Sequence, residues 1–174
     1  RRGGMTVYDI GGWKSFGLPQ PMSRQLVRRA KMLRDRGVVG EYTYMGTSPE
    51  HFGYEMYLWS KLLWDPDLDE DALKRQYFVD LYGSEAGSRI LGMYDWFQRQ
   101  RVAAVESALG VPFWSSYRGL PPVWQVVVGT FSSESYLKSC MNQVDGFIAS
   151  TNDSQIKQRL QNLKANQEMT YGFV

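Results

Sequence analysis

Large apolar side chains recur at three- and four-residue intervals from His51 to Trp64. Phe52, Met56, Trp59, Leu62 and Leu63 thereby share one face of a predicted helix, and that face requires burial. Asp65-Pro66 ends the helix, because proline disfavours helical geometry in the residue before it and has no N–H to donate. Asp67, Asp69, Glu70 and Asp71 then supply a cap and negative charge for the positive end of a second helix. Leu73, Tyr77, Phe78, Leu81 and Tyr82 form its apolar side, and Gly83 closes it in a left-handed conformation.

Upstream, the pattern changes period. Met5 to Ile10 is a short β-branched and aromatic run that stops at Gly11-Gly12, as a strand does. After a loop containing Trp13, Phe16, Pro19 and Pro21, a helix begins near Ser23 and ends at Gly37, with Leu26, Val27, Ala30 and Leu33 inside. Val38 to Met45 reads as a second strand. Strand, helix, strand, helix is the order of a parallel βαβ unit. Parallel strands need further neighbours and helical cover on both faces, so two alone imply additional strands before Arg1.

Downstream, the period stays helical. Ser84 starts a long helix with Ile90, Met93, Tyr94, Phe97, Ala104, Val105 and Leu109 inside, closed by Gly110. Val111 to Phe131 mixes turn signals with a valine run and is compatible with an ordered loop holding a short helix or strand. Ser133 opens another helix on Leu137, Cys140, Met141, Val144, Phe147 and Ile148, and Asp153 caps a last one on Ile156, Leu160 and Leu163. The expected fold is mostly α: an incomplete (β/α) barrel end of two parallel strands with helices over residues 1–50, then an α-helical bundle over 51–174.

Composition narrows the function classes. The 174 residues carry a formal charge of +2. Arg24, Arg28, Arg29, Lys31, Arg34 and Arg36 read as the solvated outer face of one helix, which gives little support to nucleic-acid binding. A single cysteine, Cys140, excludes an intramolecular disulfide, and a single histidine, His51, argues against a zinc site. The alternation of Asp65, Asp67 and Asp69 lacks the glycine and distal glutamate of a calcium-binding EF-hand loop. No cofactor, metal or membrane partner is expected, since no run of about twenty apolar residues occurs.

The stretch WDPDLDEDALKRQYFVDLYG, followed by Ala86 and Tyr94, resembles the C-terminal part of glycoside-hydrolase-like barrel proteins, in particular the bacterial domain of unknown function 4838. It is more distantly similar to α-glucuronidases, through the tryptophan-aspartate-proline-aspartate turn and the tyrosine-glycine helix end. Tyr8-Asp9, Pro19 and Pro21, Gly37 and Gly40-Glu41 extend the likeness over roughly residues 7 to 95. The resemblance implies the last strands and helices of a barrel leading into a helical domain, carbohydrate as ligand, and a periplasmic or extracellular location.

In a β/α barrel the chemistry sits at the C-terminal ends of the strands. That rule brings Tyr8, Asp9 and Trp13 to the same mouth as Glu41, Tyr42, Tyr44 and His51. Glycosidic cleavage uses two carboxyl groups, one protonated and one ionised. Asp9 and Glu41 are the acids at strand ends, and Glu41 is the catalytic candidate, with Tyr8, Asp9, Trp13, Tyr44 and His51 as substrate-binding residues. The alternative for Glu41 is a carboxylate bound to a neighbouring arginine. The α-glucuronidase likeness puts the proton donor on an earlier strand, in an N-terminal barrel that this chain lacks. The 174 residues are therefore expected to be the C-terminal portion of a glycoside-hydrolase-like protein, inactive alone, with a non-catalytic glycan-binding or scaffolding module as the alternative.

Overall fold

The computed structural model describes residues 5–10, 23–44, 49–109 and 134–172. In chain order these form β1 (Met5–Ile10), α1 (Ser23–Asp35), β2 (Val38–Tyr44), α2 (Pro49–Leu62), α3 (Glu70–Tyr82), α4 (Ser84–Leu109), α5 (Glu134–Ser150) and α6 (Ser154–Gly172). The fold is mostly α. β1 and β2 pair in parallel, with Val7 against Glu41, Tyr8 against Tyr42, Asp9 against Thr43 and Ile10 against Tyr44. The expected segment 111–131 lies outside the described residues, as do the side chains of Phe52, Ala104, Val105 and Leu109.

Local chemistry sets the helix ends. Gly37, at φ 71°, donates its N–H to the Arg34 carbonyl at 2.9 Å and turns the chain from α1 into β2. The Asp69 carboxylate accepts the Ala72 N–H at 3.0 Å and caps α3. Asp153 does the same for α6, accepting the N–H groups of Gln155 and Ile156 at 2.8 and 3.0 Å. Gly83 ends α3 by donating to the Val79 carbonyl, and begins α4 by accepting from the Gly87 N–H, each at 2.8 Å. Its φ of 80° is positive as expected, but ψ of 169° moves it out of the left-handed helical well into a region that only glycine occupies readily.

One buried cluster draws on each of the described helices, from Leu26 and Leu33 of α1 through Leu58, Phe78, Met93 and Val144 to Leu160 of α6. It runs across residue 50, where a buried hydrogen bond also joins Gln98 Nε2 of α4 to Ser23 Oγ of α1 at 2.6 Å. Among the described residues no helix is long and apolar enough to cross a membrane.

The expected inner face of α2 is right for Trp59 and Leu62 and needs correction at Met56 and Leu63. Tyr54, Leu58, Trp59 and Leu62 point inward, whereas Met56 and Leu63 are exposed and Trp64 is 92% exposed. Both stripes have helical spacing, so ring packing decides between them. The Tyr54 ring lies 5.4, 5.7 and 5.3 Å from those of Tyr77, Phe78 and Tyr94, a gain that the thinner Met56–Leu63 stripe does not match. Trp64 stands two residues beyond Leu62, the last helical residue, where its N–H bonds three residues back to Lys61 at 3.1 Å. That tightening turns the indole off the buried face.

Candidate functional site

The C-terminal half of β2 is built from three elements. In a strand, successive side chains point to opposite faces. Glu41 therefore turns inward, 1% exposed, while Tyr42 turns outward, 69% exposed. α1 brings Arg29 to Glu41, with Nη2 donating to Oε1 at 3.0 Å, and α2 slides Trp59 beneath the guanidinium, 5.8 Å from ring centroid to Cζ. Arg29 was expected on the solvated face of α1; its side chain is only 17% exposed, because the Glu41 carboxylate and the Trp59 ring offset the cost of desolvating it. The remaining basic face behaves as expected, with Arg34 and Lys31 reaching Asp67 at 2.5 and 3.8 Å in the α2–α3 turn.

The strand register brings several predicted residues together along the backbone. Asp9 pairs with Thr43, two positions beyond Glu41, and Tyr8 and Ile10 pair with Tyr42 and Tyr44. His51 falls in the first turn of α2. Trp13 lies outside the described residues. Chemically, the Glu41 carboxylate is an acceptor held by a charge-assisted hydrogen bond, and Tyr42 is exposed on the opposite face of the strand.

A second polar centre escaped the sequence reading. The Tyr94 hydroxyl of α4 donates to the buried Glu55 carboxylate of α2. Burial, reinforced by Glu55, pushes the Tyr94 phenol well above its ordinary value. Tyr54 donates to the side chain and carbonyl of Glu70 at 3.1 and 3.3 Å, and burial together with Glu70 raises its phenol too. Lys74 sits next to these groups, with Asp95 at 2.9 Å and Glu70 and Asp71 at 3.5 Å each. Burial alone would lower the Lys74 pKa, but the three carboxylates outweigh it and the ammonium is raised. These groups tie α2, α3 and α4 together. The signal for the burial of Tyr54 in the sequence was its spacing with Leu58 and Leu62. Glu55 carries no comparable mark in the sequence.

The family model described as Domain of unknown function (DUF4838) matches residues 7–95. Comparison with curated proteins and with solved structures found no match in either. The matched span runs from β1 into α4 and takes in Arg29, Glu41, Trp59 and Tyr94. With just over half of its length matched, the chain belongs to the DUF4838 family.

Proposed function

We propose that this chain is the C-terminal portion of a carbohydrate-active, glycoside-hydrolase-like protein, with the sugar contact at the C-terminal end of the β1–β2 pair. The observation that carries this reading is the parallel register, which sets Asp9 and Tyr8 level with Thr43 and Tyr42, next to Glu41. Asp9, one residue before the end of β1, and the exposed Tyr42 on β2 are residue types that suit a ligand rich in hydroxyl groups and flat apolar faces, whereas Glu41 sits at the middle of β2, level with Val7. In this reading the strands join others of a barrel, which two strands do not close.

A second reading, non-catalytic glycan binding, is favoured by the Arg29–Glu41 pair. A carboxylate this buried and held by a guanidinium is poorly placed to attack a sugar or to pass on a proton.

Calorimetric titration with neutral and uronic-acid-bearing oligosaccharides, alongside a hydrolysis assay, tests both readings. Binding without hydrolysis by the 174-residue chain is expected. Tyr42→Ala should weaken binding about fivefold, the equivalent of about 1 kcal/mol of apolar contact. Absence of affinity for every glycan removes the carbohydrate reading, and hydrolysis by the chain itself removes the binding-only one.

A further inference from the structure

We draw no further inference here: the strongest candidate, the apolar patch on the outward face of α2 and the turn after it, formed by Met56, Leu63 and Trp64, carries nothing because nothing in the structure shows what covers it.

Discussion

Gly87 of α4 meets the backbone of Phe78 on α3 so closely that a β-carbon at Gly87 would stand 2.4 Å from the Phe78 carbonyl oxygen. Phe78 C and Val79 Cα would lie at 2.7 and 2.9 Å, so the obstacle is main chain and not a side chain that can swing away. The contact lets two helices joined only through Gly83 pack along their length, and further along the same pair the Tyr94 ring lies 5.4 Å from that of Phe78.

Gly87→Ala brings two opposed effects. Alanine gains about 1 kcal/mol in helix propensity over glycine, while forcing a methyl group against backbone costs about 1–3 kcal/mol or more. The clash is expected to win by about 2 kcal/mol, lowering Tm by about 4–8 °C. Gly92, on the same helix, has nothing within 4 Å of an added β-carbon, so Gly92→Ala should raise Tm. Thermal unfolding followed by circular dichroism measures both. A Gly87→Ala protein as stable as the parent contradicts the close approach.

Trp59 and Trp64 should respond oppositely to truncation. Trp59→Ala opens a cavity in the core and removes the ring beneath Arg29, a loss of about 3–5 kcal/mol. Trp64→Ala removes an indole that already lies in solvent and should change stability by no more than about 0.5 kcal/mol. Urea denaturation distinguishes them, and equal losses would show that Trp64 is packed into the core as Trp59 is.

Arg29 and Glu41 are expected to be strongly coupled. Removing one partner leaves a desolvated charge, so Arg29→Met and Glu41→Leu should each cost about 3–5 kcal/mol. The double variant should lose far less than the sum, because both charges leave together. Additive losses in a double-mutant cycle would mean that the pair makes no net contribution.

Stability should decline under alkaline conditions. The Tyr94 and Tyr54 phenols, the Lys74 ammonium and the Cys140 thiol are all raised in the fold; burial is the main cause for the first two and for the thiol, and neighbouring carboxylates overcome burial for Lys74. A folded pKa above the unfolded one means that the unfolded chain releases its proton first as pH rises. The stabilisation is therefore complete below the ordinary thiol and phenol values, at about 8.5 and 10, and is lost progressively above them. The variant Tyr54→Phe/Tyr94→Phe should be less stable at neutral pH, since the buried Glu55 loses a donor at a cost of about 1–3 kcal/mol. Its Tm should also fall less steeply between pH 9.5 and about 11. An unchanged alkaline slope would show that these phenols do not carry the effect.

Most elements could be read from the chain because their signals are local. Asp69 and Asp153 cap the helices that follow them, Gly37 and Gly83 take positive φ at helix ends, and Leu137, Cys140 and Val144 recur on the buried side of α5. On α2 the expected face held for Trp59 and Leu62 but not for Met56 and Leu63, because that helix is apolar on two sides and periodicity counts stripes without ranking them. Arg29 was misread for a related reason: an arginine partner was one reading of Glu41, but on α1 Arg29 is one of several basic residues and nothing in the sequence singles it out.

By itself, then, the sequence determined the kinds and order of the elements, their caps and the parallel direction of β1 and β2, since these follow from backbone preferences within a few residues. Tertiary structure alone decided which side of α2 faces inward, which arginine of α1 is buried, and that Glu55 would meet Tyr94. The partners in Arg29–Glu41, Glu55–Tyr94 and Ser23–Gln98 are separated by 12, 39 and 75 positions. Contacts at such separations depend on how whole helices stack, where ring packing and the cost of burying charge are settled together.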